Sequence, residues 1–194
     1  MTKTRARNPD SRERSALLVI DVQQGFDDGE HWGSRNNPGA EERISELLED
    51  WRTRGEPVIH VQHLSSDPDS PLHPGKPGVE FKSVARPLPG EWIVTKQVNS
   101  AFVGTDLHAY LQERGIRTLI VVGLTTDHCV STTARMADNF GYQVYVVRDA
   151  TATFDRRGPE GGHFTAELMH ETALVSLHGE FARVVSTKEV LDGG

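Results

Sequence analysis

The 194-residue sequence has one cysteine, Cys129. A lone cysteine closes no disulfide within the chain, and a free thiol points to a reducing compartment. Long hydrophobic runs are lacking too. None approaches the roughly 20 apolar residues needed to cross a bilayer, and no apolar signal segment stands at the N-terminus, so the expected location is cytoplasmic. Positive charge is in short supply: 21 Lys and Arg face 28 Asp and Glu, a formal net charge of -7. That balance argues against nucleic acid or an anionic membrane as partner and in favour of a small molecule. There is no Walker loop, GxGxxG, GxSxG, HExxH or CxxC pattern, which removes the usual nucleotide, serine-hydrolase, zinc-protease and dithiol readings. Internal repeats and low-complexity tracts are also missing.

The first 14 residues depart from the acidic balance. Lys3, Arg5, Arg7, Arg12 and Arg14 lie among polar residues without apolar periodicity, which reads as a solvated flexible tail, or else an interaction arm. The remainder, 15–194, is long enough for one domain with its own core.

Six β-rich runs follow, at 16–22, 57–62, 91–95, 117–123, 143–148 and 181–185. Stretches such as Leu17-Leu18-Val19-Ile20 and Leu119-Ile120-Val121-Val122 are apolar at every position, as expected of strands covered on both faces and therefore parallel. Between the runs, Ile44, Leu47, Leu48 and Trp51 recur at helical spacing, as do Leu107, Tyr110 and Leu111. Two further helices are predicted over 126–140 and 163–177, stopped by Gly141 and Gly179. The alternation predicts a three-layer α/β/α fold around a parallel sheet. Residues 63–90 break the rhythm, with six prolines and no helical stripe. A connection of that length reads as a lid or binding loop, or as an assembly surface.

Ligands of open α/β sheets bind beyond the carboxyl ends of the strands. Asp21 follows the first run, Lys96 the third, and Cys129 lies one turn beyond the fourth. A carboxylate, an ammonium and a thiol at one sheet edge can supply a base, a charge partner and a nucleophile. Singly they would be a turn former, a solvated lysine and a small packed hydrophobe; together they favour chemistry. At a helix start, Cys129 would also have its thiolate stabilised by the dipole. His128 is an awkward partner for Cys129, because helix neighbours point about 100° apart, and it reads as a pocket-wall residue. His60 and His63 suggest metal ligands, yet three positions apart on a strand they face opposite ways. His163, His170 and His178 read as solvated or packed.

The stretches Ala16-Leu17-Leu18-Val19-Ile20-Asp21-Val22-Gln23, Val94-Thr95-Lys96 with Ser100-Ala101-Phe102-Val103-Gly104-Thr105-Asp106-Leu107, and Gly123-Leu124-Thr125-Thr126-Asp127-His128-Cys129-Val130 occur in an order that resembles the isochorismatase-like cysteine hydrolases. That superfamily includes nicotinamidases and N-carbamoylsarcosine amidase. The resemblance implies a six-stranded parallel sheet in the order 3-2-1-4-5-6. It makes Asp21 the general base and acid, Lys96 its charged partner and Cys129 the nucleophile. It also implies a cis Leu124–Thr125 peptide, with the Thr125 and Cys129 N–H groups forming an oxyanion hole. In that strand order Lys96 must reach inward from a strand two places away from the first. Gln23, Phe26, Trp32, Phe102, His128 and Phe154 are the candidate substrate-binding residues, and a homodimer or homotetramer is expected.

One departure bears on cofactors. Where nicotinamidases of the family carry a metal-binding Asp-x-His after strand 2, the matching positions here are His63 and Ser65. Members that hydrolyse the vinyl ether of isochorismate lack the nucleophilic cysteine. The expected activity is therefore cofactor-free, metal-independent cleavage of a small amide, ureido or lactam C–N bond through a thioester. The rival readings are a metal-dependent nicotinamidase-like deamidase, an isochorismatase-type hydrolase, and a non-catalytic binding or redox-sensing protein.

Overall fold

The computed structural model describes residues 14–193. The expected N-terminal tail therefore lies outside the described residues except for Arg14, whose carbonyl accepts from the Arg117 N–H at 3.2 Å.

The strands are β1 (Ser15–Ile20), β2 (Val58–His63), β3 (Trp92–Lys96), β4 (Thr118–Leu124), β5 (Gln143–Ala152) and β8 (Arg183–Val185), and they form one sheet in the order β3-β2-β1-β4-β5-β8. Every pairing in it is parallel. Side chains alternate across a strand, and β1 shows why it is apolar throughout. Ala16, Leu18 and Ile20 pack with Leu107 and Leu111, Ala134 and Ala137, and Leu174 and Leu177, which lie on α3 (Leu107–Glu113), α4 (Ser131–Asn139) and α5 (Ala166–Leu177). Leu17 and Val19 pack instead with Ile44, Leu47, Leu48 and Trp51 of α2 (Ala40–Arg54). With α6 (Thr187–Leu191) beside α2, helices cover both faces of the sheet. Among the described residues no helix is long and apolar enough to cross a membrane.

Two predicted helices begin differently. Over Thr126–Val130 the chain makes a wider π turn, and regular α-helix starts only at Ser131. The apolar periodicity runs through both, so sequence pattern alone does not separate them. The helix predicted from 163 starts at Ala166, because the Thr165 side chain accepts from the Leu168 N–H and caps it. His163–Phe164 (β7) pairs antiparallel with Arg156–Arg157 (β6).

The proline-rich interval folds against the end of β1 through 3-10 turns at Pro77–Val79 and Ser83–Ala85. Backbone meets backbone there. A Cβ on Gly78 would lie 2.3 Å from the Pro71 carbonyl oxygen and 2.8 Å from Gly25 Cα. The Gln24 N–H donates to the Glu80 carbonyl at 2.8 Å and the Lys82 N–H to the Val22 carbonyl at 3.0 Å.

Candidate active site

β1 delivers Asp21 to the sheet edge in the left-handed region, φ 51°, with its N–H donating to the Val61 carbonyl at 2.9 Å. Gln23 stabilises this exit. Its Oε1 accepts from the His63 N–H at 2.8 Å, and its Nε2 donates to the carbonyls of His63 at 3.0 Å and Val79 at 2.9 Å. Gln23 is fully buried and its amide is saturated by backbone. It ties β1, β2 and the proline-rich segment together.

Lys96 ends β3, opposite His63 in the parallel register. From this edge strand its side chain crosses β2 to reach the residue after β1. Its Nζ donates to Asp21 Oδ2 at 2.6 Å, to His63 Nδ1 at 2.9 Å and to Cys129 Sγ at 3.3 Å. β4 leads to Cys129 through Gly123 and a cis Leu124–Thr125 peptide bond. The π turn that follows is buttressed from α5, where His170 Nδ1 lies 2.9 Å from Thr126 Oγ1. Cys129 Sγ also approaches Asn99 Oδ1 at 3.8 Å.

Asp21, Lys96 and Cys129 are 0, 2 and 7% exposed, so their charges act on one another with little screening. Burial disfavours the Lys96 ammonium, but the Asp21 carboxylate and the Cys129 sulfur outweigh it and hold its pKa above the ordinary lysine range. Burial, followed by the Asp21 carboxylate, pushes the Cys129 thiol well up, and Lys96 only partly offsets this. Burial and the neighbouring carboxylate thus oppose the thiolate that a helix start would favour. Asp21 Oδ1 has no hydrogen-bond partner among the described residues.

Asp21, His63 and Cys129 place donor atoms within 4.8 Å of one another, a spacing that would suit a metal ion. The Lys96 ammonium is bonded to all three, however, and stands as the cation of the cluster. Ser65 does not join them, since its Oγ accepts from the Asp67 N–H at 3.2 Å. The donor set does not fit a nicotinamidase-type metal centre. His60 faces away from the site as expected, with Nε2 2.8 Å from Glu91 Oε2.

The aromatic candidates separate into two groups. Phe26, Trp32 and Phe154 stack on one another, with ring centroids 4.9, 6.0 and 5.7 Å apart, and pack with Leu124 immediately before the cis bond. Phe102 packs against Phe140 and Tyr142, in the same cluster as Cys129. His128 is exposed on the turn that carries Cys129. Beside it, Asp127 is bonded by Thr153 Oγ1 and by Arg156 Nε, the latter at 3.0 Å. Burial raises the Asp127 pKa, yet Thr153, His128 and Arg156 together bring it below the usual carboxylate range.

Sequence reasoning missed His63 as a partner of Lys96, and missed Asn99 and Arg156. The β2–β3 register was the signal available for His63. Asn99 stands three residues beyond Lys96, within a motif already singled out. Arg156 had no signal, because a short hairpin places it.

Residues 15–189 match the family model of the isochorismatase domain. The chain is 44% identical over 180 residues to the isochorismatase family protein YrdC of Bacillus subtilis strain 168, covering 93% of this chain and 96% of that one. It superimposes on a crystal structure of an isochorismatase-family protein from Chromobacterium violaceum ATCC 12472 with a TM-score of 0.90, at 42% identity and 94% coverage of each chain. It is also 36% identical over 143 residues to a streptothricin hydrolase of Streptomyces noursei, covering 72% of this chain and 50% of that enzyme.

Proposed function

This chain belongs to the isochorismatase family, and from that premise we propose that it is a cysteine hydrolase cleaving a C–N bond in a small amide, ureido compound or lactam without a metal. The observation that carries the reading is the Lys96 ammonium, bonded at once to the Asp21 carboxylate and the Cys129 sulfur. A scaffold has no use for either group, and a redox sensor has none for a buried carboxylate that opposes its thiolate.

The resting thiol gives its proton to Asp21 as sulfur attacks the carbonyl carbon, and Oδ1, the oxygen without a partner, is the acceptor. Lys96 stays protonated and stabilises the sulfur as it becomes anionic. The Thr125 and Cys129 N–H groups bind the oxyanion, a contribution of roughly 3 kcal/mol for each donor. Asp21 then protonates the leaving nitrogen, the C–N bond breaks and a thioester remains. Water, deprotonated by Asp21, attacks the thioester; the carboxylic acid departs and Cys129 recovers its proton. The similarity to a streptothricin hydrolase supports including streptothricin among the substrates tested. Residues 63–90 are the proposed specificity wall, and His128, Trp32 and Asn99 the proposed pocket residues.

The test is ammonia or amine release from a panel of nicotinamide, N-carbamoyl amino acids, biuret and streptothricin-type lactams. Cys129→Ser and Asp21→Asn are each expected to lower turnover of the accepted substrate by at least about 10³-fold. Exhaustive chelation is expected to leave it unchanged. Turnover that survives Cys129→Ser, or that is lost on chelation and restored by a divalent metal, would overturn the mechanism.

A further inference from the structure

A protonated lysine has three N–H donors, and three acceptors surround Lys96: Asp21, Cys129 and His63. The mechanism uses the first two. His63 is fixed as firmly as they are, its N–H and carbonyl both engaged by the Gln23 amide and its register set against Lys96 by strand pairing. Burial first, and then the Lys96 ammonium, hold its pKa below the ordinary histidine value, so the ring is neutral. With Nδ1 accepting, the ring proton sits on Nε2.

The neutrality of this third acceptor matters. An apolar side chain there would leave one proton of a buried ammonium without an acceptor. A carboxylate would compete with Asp21 and Cys129 for the ammonium. We infer that His63 is a positioning residue: as the third, uncharged acceptor it holds the Lys96 ammonium between the Asp21 carboxylate and the Cys129 sulfur. The inference rests on reading Cys129 as the nucleophile, but its test needs no substrate.

The test is iodoacetamide alkylation of Cys129 in the full-length chain, followed by intact mass from about pH 6 to about pH 10. Wild type, His63→Asn, His63→Leu and Lys96→Met are compared. Asparagine carries an acceptor oxygen near the place of Nδ1, so His63→Asn is expected within about twofold of wild type. His63→Leu is expected to be alkylated about tenfold more slowly at neutral pH, with its profile displaced to higher pH, towards that of Lys96→Met. Circular dichroism reports whether the fold persists. Should the leucine variant not fold, His63→Ala with and without added imidazole replaces it, and rescue by imidazole supports the role. A wild-type profile in His63→Leu overturns the inference. So does a His63→Asn variant as slow as His63→Leu, which would make the ring a packing group. A protein that releases no amine from any amide, yet shows the expected profiles, rejects the hydrolase reading and leaves this role standing.

Discussion

Gly123, at φ 117°, passes so close to β1 that a Cβ would lie 2.0 Å from the Ile20 carbonyl oxygen. The contact is backbone on backbone, so no rotamer can relieve it. It also lies between Ile20, which precedes Asp21, and the turn that carries Cys129. Gly123→Ala is expected to destabilise the protein by more than about 3 kcal/mol, measured as a fall in the urea midpoint. A midpoint within error of wild type would show that β4 can shift without loss. At the same scale Cys129 was legible in sequence as a residue type at a strand end. Its protonation state was not, since that depends on burial and on an aspartate 108 positions earlier in the chain.

The elements that present these residues are held at the sheet's carboxyl edge by a second ionic cluster. Lys82, in the proline-rich segment, bonds Asp27 at 2.6 Å and Glu41 of α2 at 2.7 Å, and Glu41 also accepts from both terminal guanidinium nitrogens of Arg35 at 2.7 and 2.6 Å. Lys82 is buried, so removing it strands partly desolvated carboxylate. Lys82→Met is expected to cost about 2 kcal/mol and to speed proteolytic cutting within 64–76. An unchanged cutting pattern would separate the cluster from the order of that segment. The strands themselves were readable within a few residues because near-continuous apolar runs have few other uses. The observed β5 runs four residues past its predicted end, to Ala152, where its last residues pair with Gly123 and Leu124 across an irregularity in register. Such an irregularity leaves no periodic mark.

Across the whole molecule, buried ionisable groups couple stability to pH. His60, His63 and His170 all have pKa values lowered from 6.5, burial being the leading cause in each. A base that binds its proton more weakly when folded adds stability above its unfolded pKa and loses it as pH falls below that value. Glu41 and Glu91 are held at about 2 despite burial, by Arg35 and Lys82 in one case and by Arg52, the Leu88 N–H and His60 in the other. Their contribution is present above the ordinary 4.5 and is lost between there and about 2. The urea midpoint should therefore be level from about pH 6.5 to about pH 8.5, decline below that range, and fall again below about pH 4.5. Equal midpoints at about pH 7.5 and about pH 5.5 would mean that these histidines are not neutral in the fold.

What the sequence determined by itself is the part written in local composition. Apolar runs separated by helical stripes dictate a buried parallel sheet between helical layers, and the residue types at three strand ends supply the carboxylate, the ammonium and the thiol. Tertiary structure alone decided how they meet. It brought an edge-strand lysine across β2 to meet two side chains 75 and 33 positions away, set His63 beside it, engaged the Gln23 amide with backbone, and buried the sulfur beside a carboxylate. Those outcomes depend on strand register and desolvation, which arise between segments distant in sequence and leave no period in any one of them.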